Sequence, residues 1–341
     1  MNITTIGLDL AKLSFQVHGV DAQGRTVLKR SLKRGQMAEF FAQLPACLIG
    51  MEACGSAHYW ARQLTAMGHK VRVMAPKYVK PYVKTNKNDA ADAEAICEAV
   101  SRPSMRFVSV KNADQQAVLS IHRARAGFMK NRTACANQIR GLLYEFGIVI
   151  PQGIHHLGGL HERIEAADLP PMFRRLVGSL LSYYRDLEQR IAELEADILG
   201  WHRCDAASQR LAAIPGVGLL TATAVAASVG DARQFKNGRQ MAASLGLVPR
   251  QHSTGGKPTL LGISKRGDAY LRTLLIHGAR SVLHHHAAAK DAERLWPVQV
   301  MRRRNRNVAA VALANKNART IWALLAHEER YDASRRQGLA A

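Results

Sequence analysis

The chain has 341 residues, 47% hydrophobic and 22% charged, which is ordinary for a folded protein of two or three domains. Its 48 lysines and arginines exceed its 26 acids by 22 charges, and that excess points to a polyanionic partner, nucleic acid first. An anionic membrane surface fits less well: no apolar run nears the roughly 20 residues of a spanning helix, and no long Lys-rich helix with an aromatic face occurs.

Met1–Leu10 reads straight into a strand rather than a signal peptide. Cys47, Cys54, Cys97, Cys135 and Cys204 are scattered singly, with no metal-ligand spacing. They read as reduced thiols of a cytoplasmic protein, without structural zinc. The adjacent histidines 155–156 and 284–286 cannot all converge from one helix face, which argues against a metal cluster there.

In residues 3–9, Ile6, Leu8 and Leu10 alternate with Gly7 and Asp9, the periodicity of a strand with an acid on its second face. Phe15–Val20 and Thr26–Leu32 read as further strands around the turn-like residues 21–24. A helix over Gly35–Leu44 follows, then a short apolar strand, Cys47–Glu52, that ends in a carboxylate. Helix Ser56–Met67, strand Lys70–Met74 and a basic loop with Lys77, Lys80, Lys84 and Lys87 come next. Asn88 is suited to cap a helix, and the Ala-rich run behind it sets Asp89 and Asp92 on one face. At roughly 4 Å and an effective dielectric near 20, two such charges repel by about 4 kcal/mol, which a divalent cation would offset. A solvated acidic first turn, favoured by the helix dipole, is the plainer alternative. A strand acid, a second strand-end acid and a helix-borne pair in this order are the arrangement of an RNase H-like domain holding Mg²⁺.

Beyond Arg102-Pro103, Asp114–Glu145 has the spacing of one long helix, with His122, Arg123, Arg125, Lys130, Arg132 and Arg140 as a basic face for phosphates. Leu176, Leu180, Leu187, Ile191, Leu194 and Ile198 follow a coiled-coil spacing that can pair within the chain or between copies. Residues 201–341 carry 22 lysines and arginines against 8 acids, so most of the excess charge is C-terminal. Leu211–Val225 reads as a helix-hairpin-helix around Pro-Gly-x-Gly, a turn able to offer backbone N–H groups to phosphate. Ser253, Thr254, Gly255, Gly256 and Lys257 read as a hydroxyl-bearing loop, flanked by Arg250, His252, Lys265 and Arg266. Such a loop either holds a phosphate passively or supplies a hydroxyl that attacks phosphorus. Arg302, Arg303 and Arg304 form a phosphate-contacting cluster before a helix over Val308–Ala326.

From about Ile3 to Ala326 the chain resembles the DEDD-type transposases of bacterial insertion sequences, a family of bridge-RNA-guided recombinases. The resemblance is carried by GLDLAK around Asp9, MEACGSAHYWA around Glu52, NKNDAADAEAI around Asp89 and Asp92, IPGVG at Ile214–Gly218, and GLVPRQHSTGGK with LLGISKRGDAYLR behind it. It implies a RuvC-like (RNase H-like) N-terminal domain over 1–103 and a helical, coiled-coil middle over 104–205. A mostly α transposase domain over 206–330 and a tail over 331–341 complete the layout. Asp9, Glu52, Asp89 and Asp92 are then the tetrad for Mg²⁺, with Mn²⁺ acceptable. A catalytic serine forming a covalent link to DNA is implied in the C-terminal loop: Ser253, with Thr254 in reserve. Arg250, Lys257, Lys265, Arg266 and Arg302–Arg304 would contact nucleic acid. The expected partners are element and target DNA, a guide RNA and further copies of the chain as a dimer or tetramer, with no membrane. The competing functions are a Holliday-junction resolvase or structure-selective nuclease that uses water, and a non-catalytic nucleic-acid scaffold.

Overall fold

The structure, a computed structural model, describes residues 2–84, 88–286 and 296–332. Lys87 of the expected basic loop and residues 333–341 of the expected tail lie outside them. The chain divides into two compact units. One takes Met1–Ala113, Val229–Met241 and Leu325–His327; the other is built mainly from Asp114–Ser228 and Ala242–Leu324. No described helix is long and apolar enough to cross a membrane.

The first unit is a mixed α/β layer built on one sheet. Strands β1 (Thr5–Leu10), β2 (Ser14–Val20) and β3 (Thr26–Lys33) form an antiparallel meander. After α1 (Met37–Ala42), β4 (Leu48–Glu52) pairs parallel to β1. Helix α2 (Ala57–Ala66) leads to β5 (Lys70–Met74), parallel to β4. Short α3 (Pro76–Val79) and then α4 (Asp89–Val100) precede β6 (Phe107–Val108), an edge strand too brief to show a period in the sequence. Among the described residues the sheet order is β3-β2-β1-β4-β5-β6.

Strand alternation decides the layers. Ile6 and Leu8 of β1 and Ile49 and Met51 of β4 are fully buried, in one core with Phe41 of α1 and Trp60 and Leu64 of α2. The intervening residues, Gly7 and Gly50, are paired across the two strands and face the other way, towards α4. A Cβ on Gly7 would strike the Ala93 carbonyl oxygen and the Cys97 amide, and one on Gly50 would lie 2.7 Å from Val100 Cβ. The two glycines therefore let α4 lie directly on the sheet. Val229–Met241 returns to this unit, where the Ser109 amide donates to Gln234 Oε1 at 3.3 Å.

In the second unit, α5 (Ala113–Tyr144) and α7 (Pro171–Cys204) run antiparallel, with α6 (Leu160–Ala166) between them in sequence. The pairing is read from contacts whose numbers run in opposite directions: Arg125 Nε to Glu195 Oε1 at 2.8 Å, Arg132 to Glu188 at 3.6 Å, and Cys135 Sγ to the Leu180 carbonyl at 3.5 Å. Of the expected seam, Leu187, Ile191 and Ile198 are buried and Leu180 and Leu194 half-buried, whereas Leu176 is exposed; Val177, Leu181 and Tyr184 take the buried positions at the N-terminal end of α7, so the covered face differs there from the expected one. The basic face expected on α5 is also largely used internally. His122 is buried, Arg125 and Arg132 pair with acids of α7, and Arg140 donates to the Gly153 carbonyl at 2.7 Å; Arg123 and Lys130 stay exposed.

Helix α8 (Ala206–Ala212), the Ile214–Gly218 turn and α9 (Leu219–Val229) continue the unit, and α9 is buried nearly all round. The turn is seated by packing. Gly216, at φ +85°, abuts Gly278, and the Pro215 carbonyl accepts from Asn317 at 3.0 Å. Helix α10 (Gly238–Ser244) is followed by β7 (Pro249–Thr254) and β8 (Lys257–Ile263), an antiparallel hairpin where the sequence suggested a loop. Helices α11 (Ala269–His286), α12 (Trp296–Arg303) and α13 (Arg306–Ala326) complete a region that is mostly helical, though not wholly so.

His122 joins α5, α9 and α11 as one polar knot. Its Nδ1 lies 2.9 Å from Tyr270 Oη and its Nε2 3.0 Å from Thr223 Oγ1. Burial, helped by the Arg125 charge, lowers its pKa from 6.5 to about 4. The folded chain thus binds fewer protons than the unfolded one between these values. The contribution is whole above pH 6.5 and is lost as pH falls through about 4, amounting to roughly 3 kcal/mol. Urea unfolding at pH 7 and pH 5 is expected to show this loss in part, and His122→Gln is expected to flatten the dependence.

Candidate active site

The acids meet at one end of the sheet in the first unit. Asp9 and Glu52 follow Gly7 and Gly50 by two residues, so they share the α4-facing side of neighbouring parallel strands. Helix α4 runs back along β1: Cys97 Sγ approaches the Thr5 carbonyl at 3.8 Å, and Gly7 lies under the turn between Ala93 and Cys97. A turn of helix and two residues of strand both advance by roughly 5–7 Å. Moving from Cys97 to the N-terminus of α4 therefore moves from Thr5 towards Asp9. Asn88 sets that N-terminus, its side chain accepting from the Ala90 amide at 3.0 Å.

Electrostatics agree with that placement. The partly buried Glu52 carboxyl is pushed above its usual pKa by desolvation first, then by the charges of Asp9 and Asp92. Glu52 thus feels both the acid of β1 and an acid in the first turn of α4. Asp89, the first residue of α4, is exposed. Among the described residues no three His, Cys, Asp or Glu side chains close into a ready-made metal cage. The donor set is nevertheless all oxygen, which suits a hard divalent cation.

Two neighbours were not legible beforehand. Cys54, exposed in the turn after β4, feels both Asp9 and Glu52; burial of its sulfur and then these charges raise its pKa. Its position two residues past a strand-end acid was the available signal. Lys84 of the expected basic loop pairs with Glu94 at 3.4 Å and Glu98 at 3.5 Å on α4.

Ser253 and Thr254 belong to the second unit and to the exposed hairpin. Gly255 and Gly256, with φ of +57° and +75°, make its two-residue turn, and Thr254 pairs with Lys257 across it. The register puts Ser253, Pro258, Gln251 and Leu260 on one face, and Thr254, Lys257, His252 and Thr259 on the other. Gln251 Nε2 donates to Ser253 Oγ at 2.8 Å. The base of the ribbon is pinned. The Ser264 amide donates to the Val248 carbonyl at 2.8 Å, and Arg272 donates to the Leu245 and Arg266 carbonyls at 3.1 and 3.0 Å. Arg250, Lys257, Lys265 and Arg266 are exposed along the hairpin and its base, and Arg302, Arg303 and Arg304 at the end of α12.

Known proteins share this chain's length and motifs. Residues 6–148 match the DEDD transposase family of IS110, and residues 208–293 match the family described as Transposase IS116/IS110/IS902. A Pseudomonas aeruginosa protein described as "Probable family 20 transposase" is 57% identical over 97% of this chain and 99% of its own length. The transposase for insertion sequence element IS1111A of Coxiella burnetii is 45% identical, over 97% of this chain and 92% of that protein. The transposase for insertion sequence element IS1328 of Yersinia enterocolitica is 44% identical, over 94% and 96%. With matches of this identity from end to end, the chain belongs to the IS110/IS116 family of insertion-sequence transposases.

Proposed function

We propose that this transposase cuts and joins DNA with a carboxylate-held divalent cation and a serine nucleophile. The observation that carries the reading is geometric: Asp9 and Glu52 lie on the α4-facing side of neighbouring parallel strands, with Asp92 in the first turn of α4. With Asp89 one helical turn away, these residues would hold Mg²⁺ or Mn²⁺. When bound, the cation neutralises charge on the oxygens of the phosphate under attack. The strand order and the α4 placement support an RNase H-like reading of the first unit. The α8–turn–α9 segment supports a helix-hairpin-helix reading, with its glycine turn used at least as much for packing as for phosphate.

Ser253 would attack phosphorus through Oγ. The Oγ–P bond forms as the P–O bond to the leaving strand end breaks; the serine proton departs to solvent and the leaving oxygen takes one up. One phosphoester replaces another, so the bond can later be rejoined without an energy source. Thr254 is the reserve, on the opposite face. Arg250, Lys257, Lys265, Arg266 and Arg302–Arg304 would hold DNA and RNA backbones, where exposed cations gain affinity without reading sequence. Sequence choice would then rest on base pairing by a noncoding guide RNA of the element. Because the acids and the serine lie in different units, a dimer or tetramer with sites shared between copies is part of the proposal.

Three outcomes test it. Glu52→Gln removes a like charge and is expected to raise the metal-free melting temperature by about 2 °C, while shrinking the upward shift that Mg²⁺ gives the wild type. A nicked duplex spanning the element junction, incubated with protein, co-purified RNA and Mg²⁺, is expected to yield a denaturation-resistant DNA adduct mapping to Ser253. Asp9→Asn is expected to abolish both cleavage and adduct while DNA binding survives. Cleavage without any adduct would identify a water-using nuclease, and no cleavage with all components present would favour a scaffold.

A further inference from the structure

Ser253 and Gln251 are both exposed on a ribbon whose strands present nearly every residue to solvent. No core packing fixes an exposed serine side chain, which would sample its staggered rotamers freely. Here one hydrogen bond chooses among them: Gln251 Nε2 to Ser253 Oγ, 2.8 Å, between residues two apart on the same strand face. We propose that Gln251 is the positioning residue of the nucleophile, an inference that rests on the reading of Ser253 as that nucleophile.

The donor is a neutral amide that keeps its character across the working pH range. By donating to Oγ it occupies one lone pair and turns the serine O–H elsewhere, leaving the second lone pair for phosphorus. As the proton leaves, negative charge grows on Oγ, and an N–H aimed at that atom stabilises it without reorganising. A lysine at this place would do so more strongly but would add a charge that also clamps the phosphate. The amide separates the two tasks, leaving phosphate binding to the cations nearby. The same register explains the choice of hydroxyl. Thr254 projects from the opposite face with Lys257 and His252, where Gln251 cannot serve it.

The test measures single-turnover adduct formation at saturating nicked duplex, with the full-length protein, co-purified RNA and Mg²⁺. Gln251→Ala is expected to slow the adduct about 10- to 100-fold with the DNA dissociation constant unchanged. Gln251→Glu is expected to be as slow at pH 8, where the carboxylate cannot donate. It should recover relative to wild type towards pH 5, as the carboxyl protonates and donates again. A purely structural role would move neither the pH profile nor the rate at saturation. Wild-type rates in Gln251→Ala, or a loss traced wholly to weaker DNA binding, would overturn the inference. An adduct that persists in Ser253→Ala would overturn the nucleophile reading instead, a signature that no Gln251 variant can produce.

Discussion

The constraint on which the rest depends is the close approach of α4 to the paired glycines of β1 and β4. Gly7 and Gly50 lack the Cβ atoms that would hold the helix off, and the acids two residues beyond them turn up beneath its N-terminus. Helix and sheet thereby bring like charges together, which costs free energy in the folded chain. The Glu52 carboxyl is raised above its usual pKa by desolvation first, and the Asp9 and Asp92 charges add to it. A divalent cation bound among these oxygens would offset that cost.

Much of the first unit was legible because its strands obey a strict period. Ile6, Leu8, Ile49 and Met51 alternate with Gly7, Asp9, Gly50 and Glu52, and the two sets do go to opposite faces. The start of α4 was equally legible from Asn88 and the alanines behind it. Strand β6 was missed, since two residues carry no period. The approach of Cys54 to the acids was missed because the path of a turn is not written in residue types.

The second unit was harder to read for three physical reasons. The serine hairpin is exposed on both faces, so its strands show no alternation, and Gly255-Gly256 flanked by polar residues reads as a loop. The arginines of α5 look like a solvent-facing stripe until Glu188 and Glu195, some sixty residues away, fold against them. The coiled-coil spacing was right about α7 but left its partner open, and the partner is α5 of the same chain. In each case the deciding information is a long-range contact, which local pattern cannot carry.

The acids Asp9, Glu52 and Asp92 belong to one unit and the Ser253 hairpin to the other. The account's central claim is that Asp9, Glu52 and Asp92 jointly hold the cation. Titrating the protein with Mn²⁺ while following the loss of the free-ion EPR signal tests it most directly. The account predicts saturable binding that Mg²⁺ displaces and that Asp9→Asn and Asp92→Asn each weaken at least tenfold, an expectation on the order of 1.4 kcal/mol or more per carboxylate. Binding that is indifferent to both substitutions would contradict it.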